Sequence, residues 1–280
     1  MLLQAQLVDV VLVSPRNPLN VGAAARAMAN FGFAHLTVVA PYAPHWREAR
    51  SAIGAPEVLQ NAKESKTLRE AVAACTLVVG TGALTYRKPE QTVVPLPALP
   101  PILEAELTRG GRVALVFGPE KHGLTREDLS WCHLLVEIPT DPRQPSINLG
   151  QAVAVCLYEL ASLAFPASNA AIEENILKGT GFSPYVDTTK ATGALAPAAD
   201  LSKNQPDSCQ PAAPSASLDL LAEVVEQSML SAGYSPSSMQ AANRHDLRLL
   251  LRRLAPTQRD TRRILGLFRR ILWRMKRTQK

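Results

Sequence analysis

The chain lacks several features that would assign it to common classes of protein. No apolar run approaches the roughly 18 consecutive residues that a membrane span requires. The amino terminus has no basic segment and reaches Asp9 early, so we expect no signal peptide. The four cysteines, Cys75, Cys132, Cys156 and Cys209, form no CxxC pair, and the five histidines form no HxxxH pair, so no metal site is predicted. These absences favour free thiols in a reducing cytoplasm and no membrane partner.

Two nucleotide-binding fingerprints are also missing. G-x-G-x-x-G does not occur, and no acidic residue ends the second predicted strand where dinucleotide-binding folds place one. The acidic-Gly-x-Gly loop that open-fold methyltransferases carry after their first strand is absent as well. A nicotinamide-dependent oxidoreductase is therefore a distant alternative.

Charge is distributed unevenly along the 280 residues. The net charge is +6, but residues 241–280 contain 13 Lys or Arg and 2 acidic residues, whereas residues 1–240 contain 17 basic and 22 acidic residues. A local cationic excess of this kind is typical of a surface that binds a polyanion, most often nucleic acid. The alternative is a solvated helix surface without a partner, on which some arginine stems cover apolar side chains.

The hydrophobic pattern divides the chain into three parts. Residues 1–165 alternate apolar runs with helical patterns, which predicts an α/β domain with a parallel sheet covered on both faces. Residues 166–217 are rich in Pro, Ala, Ser and Gly without apolar periodicity, which predicts a flexible linker. Residues 218–280 return to helical periodicity and form a predicted basic helical domain.

Individual elements follow from the same pattern. Asn20 is a candidate N-cap of a helix that ends near residue 30, Thr125 of a short helix, and Ser217 of a helix over residues 218–230. Further helices are predicted over residues 67–74, 147–164, 237–254 and about 257–277, with Leu247, Leu250, Leu251 and Leu254 as a core stripe. Strands are predicted over residues 8–14, 35–40, 77–80, 112–118 and 134–138.

Three short segments stand where apolar runs end. They are NVGAAAR at residues 20–26, VFGPEKHGL at 116–124 and PTDPRQPSINL at 139–149. Loops at the carboxyl ends of parallel strands are where α/β proteins bind ligands. Taken alone, one such segment is weak evidence, and NVGAAAR by itself is better explained as a packed helix with Arg26 on its surface.

Together, the three segments resemble the motifs of the SPOUT methyltransferases, in the SpoU branch. That branch carries N-x-G-x-x-x-R, F-G-x-E-x-x-G-L and a proline-led S-L-N-L type segment, and the match covers about residues 7–160. The VVGTGAL run and the helical tail resemble one subgroup, the TrmJ-like tRNA methyltransferases. The resemblance implies a parallel sheet with a C-terminal trefoil knot, a homodimer, and S-adenosylmethionine as cofactor.

The resemblance also implies an activity and a set of site residues. The subgroup transfers a methyl group to the ribose 2′-oxygen of cytidine or uridine 32 in the tRNA anticodon loop. Two alternatives remain: a ribosomal-RNA ribose methyltransferase and a catalytically silent RNA-binding protein. The positions that match the family's cofactor contacts are Thr81, Gly82, Ala83, Gly118, Ile138, Pro145, Ser146 and Ile147.

Arg26 and Ser146 are the candidate catalytic residues. Arg26 matches the arginine that the family places beside the reacting ribose, contributed by the partner subunit. A guanidinium stays protonated at neutral pH, so Arg26 is expected to anchor phosphate and to stabilise alkoxide charge. Ser146 is expected to hydrogen-bond the ribose or Arg26. Glu120 is expected to have a structural or cofactor-side role, whereas Asn148 fits a helix cap and a ligand contact equally well.

Overall fold

A computed structural model describes residues 4–49, 51–52, 54–83, 89–162, 210–234 and 237–278. Its centre is a seven-stranded sheet in which every pair of neighbouring strands is parallel. The strands are β1 (Val8–Val13), β2 (His35–Val39), β3 (Lys63–Ser65), β4 (Leu77–Thr81), β5 (Val93–Pro95), β6 (Val113–Phe117) and β7 (Leu134–Glu137). Their order across the sheet is β3-β2-β1-β6-β4-β7-β5.

Helices connect these strands and continue beyond them. The α/β part contains α1 (Pro18–Asn30), α2 (Pro56–Gln60), α3 (Leu68–Ala71), α4 (Leu99–Thr108), α5 (Arg126–Leu129) and α6 (Leu149–Ser162). The carboxyl-terminal part contains α7 (Ser215–Ser231), α8 (Gln240–Leu254) and α9 (Gln258–Thr278). Short 3-10 turns lie at Ala5–Leu7, Trp46–Glu48, Leu96–Ala98 and Ser237–Met239.

The sheet is buried on both faces, as its apolar strands predict. Alternate residues of β1 join different clusters: Val10 and Leu12 pack with α1, α4 and α6, whereas Val11 and Val13 pack with α3 and α5. Because side chains alternate across a strand, helices on both faces are needed to cover such a sequence. The predicted parallel sheet with helices on both sides is therefore confirmed.

Some predicted boundaries are wrong for identifiable reasons. The first helix begins at Pro18, and the side chain of Asn17, not Asn20, accepts the capping hydrogen bond from Leu19 N. Proline fits the first helical position because its missing N–H would have no partner there. Thr125 caps α5 as predicted, with a reciprocal hydrogen bond between its backbone and Asp128.

Residues 163–209, which hold most of the predicted linker and Cys209, lie outside the described residues. The last residues of that predicted linker are packed against the α/β part. Ala213 is fully buried, and Ser215 N and Ala216 N donate to Cys75 O and Ala73 O. The helix α7 begins at Ser215, so Ser217 lies inside it and does not cap it.

Two arginines of α8 are buried between the helical part and the α/β part. Arg248 Nη1 donates to Glu127 Oε1 at 2.5 Å and to Ser130 Oγ at 2.7 Å. Arg252 donates to Trp131 O and, through Nη2, to Asp219 Oδ1 at 2.9 Å. Both guanidinium groups lie over the ring of Trp131, at 3.9 Å and 5.1 Å from its centroid. These two cations hold the helical part in place and are not available to a nucleic acid.

The predicted leucine stripe of α8 is formed in part. Leu251 is buried and Leu247 packs beside it, but Leu250 is 40% exposed and Leu254 is 63% exposed. Arg248 and Arg252 take the remaining inward positions because their charges find partners there.

Three of the four cysteines, Cys75, Cys132 and Cys156, are buried free thiols. Burial raises the pKa of Cys132 and of Cys156 to about 12, so neither is a nucleophile near neutral pH. Within the described ranges, no helix is long and apolar enough to cross a membrane.

Candidate functional site

The three sequence segments meet at one edge of the sheet. Four strands that are neighbours in the order β1-β6-β4-β7 end there, because all of them run in the same direction. The first segment lies in the first turns of α1, which follows β1. The loops after β6, β4 and β7 carry the second segment, residues 82–83 and the third segment. Crevices outside the carboxyl ends of parallel strands are the usual ligand sites of α/β proteins.

A cavity of about 260 Å³ lies between these loops, open to solvent on one side. All eight residues predicted to contact a cofactor line it. The remaining lining residues are Phe117, Pro119, Glu120, Lys121, His122, Gly123, Leu124, Leu129, Leu149 and Ala152. The wall thus combines apolar side chains with glycine, alanine and small polar residues, an arrangement that suits a ligand with a planar part and small polar parts.

The second segment folds back on itself to build one wall. Gly123 N donates to Pro119 O at 2.8 Å, and Gly123 has a φ of 64°. A Cβ at Gly118 would lie 2.3 Å from Leu124 N, closer than any side chain can approach a backbone atom. Glycine is therefore required at position 118 for this return of the chain.

The end of β4 forms the opposite wall. Thr81 Oγ1 donates to Val116 O at 3.0 Å, which ties the end of β4 to β6. Gly82 N donates to Val136 O at 3.3 Å, which ties the following residue to β7. These two hydrogen bonds fix the backbone of residues 81–82 on the rim of the cavity.

Glu120 connects the second segment to the first. Its Oε1 accepts from Asn20 Nδ2 at 2.8 Å and from Asn17 N at 3.2 Å, and its Oε2 accepts from Arg16 N at 3.0 Å. Partial burial acts to raise the pKa of Glu120, but the hydrogen bonds from Asn20, Arg16 and Asn17 outweigh it, so the pKa is lowered. The carboxylate is an anion at neutral pH and holds the β1–α1 loop against the cavity.

Asn20 extends the connection to the third segment. Its Oδ1 accepts from Asn148 Nδ2 at 3.0 Å, and Asn148 Oδ1 accepts from Gly150 N at 2.9 Å in the first turn of α6. Asn148 therefore caps α6, which is one of the two roles expected for it. A continuous chain of side-chain hydrogen bonds, Glu120–Asn20–Asn148, therefore joins all three segments beside the cavity.

The two predicted catalytic residues lie in different places. Ser146 is exposed at the cavity wall. Arg26 is exposed on α1 and is not among the cavity-lining residues, and its side chain makes no hydrogen bond or ion pair within the described part of the chain. One copy of the chain thus brings Ser146, but not Arg26, to the cavity.

Sequence reasoning missed some of the cavity's side chains. Lys121 and His122 lie inside the F-G-x-E-x-x-G-L segment at positions that the motif leaves free. Leu129 comes from α5, outside all three motifs. The only available signal was the position of Lys121 and His122 within a segment already singled out.

A comparison with known families identifies the class of protein to which this fold and cavity belong. Residues 8–158 match the SpoU rRNA Methylase family, and the chain belongs to that family. The assignment confirms the resemblance expected from the three motifs.

Within this family, the chain is similar to individual tRNA methyltransferases. The chain is 43% identical over 154 residues to the tRNA (cytidine/uridine/adenosine-2'-O-)-methyltransferase TrmJ of Pseudomonas aeruginosa, over 55% of this chain and 60% of that protein. It is 38% identical over 156 residues to the tRNA (cytidine-2'-O-)-methyltransferase TrmJ of Methanocaldococcus jannaschii, over 55% of this chain and 67% of that protein. The match thus spans about 60% of the length of the Pseudomonas relative.

A solved structure extends the likeness beyond the α/β part. The crystal structure of TrmJ from Z. mobilis ZM4 superposes with a TM-score of 0.71 at 26% identity, covering 94% of this chain and 98% of that one. A probable methyltransferase from Bordetella pertussis Tohama I superposes with a TM-score of 0.52 at 32% identity, covering 56% of this chain and 96% of that one.

Proposed function

We propose that the chain is an S-adenosylmethionine-dependent ribose 2′-O-methyltransferase of tRNA, acting in the cytoplasm on cytidine or uridine 32 of the anticodon loop. The observation that carries this proposal is the convergence of the three motif segments on one cavity at the carboxyl edge of the sheet. The named activities of the matched relatives support tRNA as the substrate.

The cavity suits the cofactor by the chemistry of its walls. Thr81, Gly82 and Ala83 offer a narrow backbone wall, Gly118 a second one, and Ile138 and Ile147 apolar faces for a planar base, with Pro145 and Ser146 beside them. When bound, S-adenosylmethionine supplies an electrophilic methyl group on a sulfonium. The protein's part is to position two reactants in line, because methyl transfer of this kind requires no metal and no covalent intermediate.

Arg26 is assigned to the ribose and phosphate of the RNA. A guanidinium donates hydrogen bonds in a planar fork, which suits the phosphate and the negative charge that develops on the 2′-oxygen. Ser146, on the cavity wall, is assigned to orient the sugar. The new oxygen–carbon bond would form as the sulfur–carbon bond of the donor breaks, with its electron pair left on sulfur. The ribose proton passes to solvent or phosphate, since arginine does not accept it.

A second copy of the chain supplies Arg26 in this proposal. The exposed face of α1 and α6 carries Leu19, Val155 and Tyr158, which are 54%, 40% and 61% exposed. The two helices are neighbours, with the rings of Phe31 and Tyr158 at 6.0 Å. An apolar face of this kind, with Arg26 on the same helix, fits a two-fold homodimer in which each copy completes the other's site.

The trefoil knot belongs to the same proposal. The segments 118–124 and 138–149 border one cavity with the end of β4, which is the region where the family passes its chain through a loop. Ordinary folds do not thread loops, so family membership, and no rule of local structure, is the basis for proposing it.

The helical part, which follows the predicted linker in the sequence, is proposed to bind tRNA. With Arg248 and Arg252 buried and Arg244 paired with Glu226, the cationic surface that remains is mainly α9, which contains eight Lys or Arg and one acidic residue. Binding is expected to weaken steeply with salt, because each neutralised phosphate releases a counterion.

Mass-spectrometric mapping of 2′-O-methyl groups tests the activity directly. Purified protein with S-adenosylmethionine and tRNA transcripts is expected to methylate nucleotide 32, and a transcript with a 2′-deoxyribose at that position is expected to stay unmodified. Methylation of ribosomal RNA instead would establish the alternative substrate. If calorimetry detected no binding of S-adenosylmethionine, the result would favour a catalytically silent RNA-binding protein.

A further inference from the structure

The helix α9 has two faces of opposite character. Thr261 and Leu272 are buried, and Ile264, Leu265, Phe268 and Met275 lie on the same side at helical spacing, where α9 packs along α7. The other side carries a cationic face, which we define by Arg259, Arg262, Arg263, Arg269, Arg270, Arg274 and Arg277.

A tryptophan lies within this cationic face. Trp273 is 59% exposed, and the Cζ atom of Arg277 lies 4.7 Å from the centroid of its ring. Arg269 and Arg270 precede it by one helical turn, on the same side. The chain has three tryptophans, and the other two are covered: Trp46 is 1% exposed, and Trp131 lies beneath Arg248 and Arg252.

An exposed indole ring on a cationic helix offers a partner a large apolar surface to cover. Burying a side chain of this size stabilises a complex substantially, and tryptophan is enriched at recognition sites for that reason. Arginines neutralise phosphates but offer little that distinguishes paired from unpaired nucleotides. An aromatic ring adds this distinction, because it needs a base whose flat face is not already stacked in a helix.

We propose that Trp273 is a stacking platform for an unpaired nucleobase of the RNA substrate, with Arg269, Arg270 and Arg277 holding the adjoining phosphates. The base stacks on the indole face opposite Arg277, which completes an arginine–indole–base stack. The inference rests on the proposed function, because it names the part of the RNA that the helical unit contacts. It assigns to α9 recognition of a single-stranded nucleotide in addition to attraction of charge.

The packing of α9 argues against a membrane surface as the partner. An interfacial helix inserts its apolar face between lipids, but here that face is already packed on α7. What α9 presents outward is one aromatic ring among guanidinium groups, with two aliphatic side chains, Leu267 and Ile271, which are 58% and 40% exposed. Charge complementarity and the single ring match a polyanion with an accessible base.

Two variants at position 273 separate stacking from charge. Trp273→Leu removes the aromatic face and Trp273→Phe keeps it, while Arg270→Gln in the same face serves as the control for a phosphate contact. Each protein is titrated with a full-length tRNA transcript and with a blunt-ended RNA duplex of similar charge, at several salt concentrations. Thermal unfolding of each variant is expected to match the wild type, since both side chains are exposed.

The expected pattern is specific. Trp273→Leu weakens tRNA binding by roughly tenfold, because stacking on unpaired bases is lost, and Trp273→Phe, which keeps an aromatic face, weakens it by less. Neither variant changes duplex binding, because the bases of the duplex are paired. The dependence of tRNA binding on salt stays the same in Trp273→Leu, whereas Arg270→Gln lowers its logarithmic slope by about one. Quenching of tryptophan fluorescence by tRNA falls in Trp273→Leu.

Three outcomes would overturn the inference. They are unchanged tRNA affinity in Trp273→Leu, an equal loss for tRNA and duplex, and loss of binding to anionic phospholipid vesicles with tRNA binding intact. Failure of the proposed function is a separate result, because it would appear as absent 2′-O-methylation by the wild-type protein whatever the titrations of the variants show.

Discussion

Asn20 Nδ2 donates a hydrogen bond to Glu120 Oε1 across 2.8 Å, joining two motif segments that lie 100 residues apart in the chain. The same Asn20 accepts from Asn148 in the third segment. The spatial arrangement of the cavity's loops therefore depends on an amide, which donates one hydrogen bond and accepts another. A carboxylate or a hydroxyl group cannot do both with the same geometry.

Replacing Asn20 with alanine is expected to separate the three loops. Glu120 and Asn148 would each lose a partner, so we expect the free energy of unfolding to fall by about 1–3 kcal/mol, together with weaker binding of S-adenosylmethionine. Chemical denaturation and calorimetry measure the two effects. Asn30→Ala, at the exposed far end of the same helix, is the matched control, and wild-type cofactor affinity in Asn20→Ala would contradict the argument.

Arg26→Ala is expected to abolish methyl transfer while cofactor affinity survives, because Arg26 lies outside the cavity of its own chain. Ala83→Trp is expected to fill the cavity from an exposed position and to prevent cofactor binding. Single-turnover assays and equilibrium dialysis check each variant alone.

Mixing the two inactive variants tests whether Arg26 acts across subunits. Random exchange makes half of the dimers mixed, and each mixed dimer carries one intact site, so activity should return to about one quarter of wild type. If Arg26 served the cavity of its own chain, the mixture would stay inactive.

The buried pair between Arg252 and Asp219 is expected to matter more for stability than its exposed neighbours. Asp219→Ala leaves an unpaired guanidinium in the interior, so we expect unfolding to become easier by about 3–5 kcal/mol. Glu223→Ala, which removes a half-exposed partner of Arg69, should cost less than about 1 kcal/mol. Equal losses in urea denaturation would show that burial of the first pair has no special effect.

His133 gives the fold a defined dependence on pH. Its Nδ1 accepts from Val78 N at 3.0 Å, and burial, aided by the charge of Arg252, lowers its pKa from 6.5 to about 3. The unfolded chain therefore binds a proton that the folded chain does not between these values, so stability falls as pH drops from 6.5 toward 3, at a slope approaching about 1.4 kcal/mol per pH unit.

The variant His133→Asn isolates this contribution. Its side-chain oxygen can accept the same hydrogen bond, but it does not titrate. Above pH 5, where few carboxylates change charge, the wild type should lose stability with falling pH faster than the variant. Parallel curves for the two proteins would show that His133 titrates normally.

Much of the fold could be predicted because long, branched apolar runs have one stable placement. β1 and β6 are such runs, and both lie in the middle of the sheet. The edge strands β3 and β5 have three residues each with mostly exposed side chains. β3 has no apolar side chain, and the two valines of β5 are followed directly by proline, so neither contains a run long enough to predict a strand. The helix α4 was missed because Pro100 and Pro101 suggest a turn, although proline is acceptable in a first helical turn.

The cavity residues followed from the motif resemblance, but their connections did not. Spacing in a sequence does not say that Asn20 turns toward Glu120, nor that Asn17 is the cap. The position of Pro18, which favours the first residue of a helix, was the available signal that Asn17 is the cap. In the tail, net charge concealed that Arg248 and Arg252, four residues apart, lie one turn apart on the buried side of α8 beside Leu251.

The contacts of Ser215, Arg248 and Arg252 with the α/β part have a consequence for substrate choice. Because of these contacts, the folded structure sets the distance between the cavity and Trp273. This distance does not depend on the length of the chain between residues 162 and 210. An RNA held at both places must present its reactive sugar at one set distance from its anchoring nucleotide. Shape then selects the target among many chemically identical sugars, and the identity of the base becomes secondary.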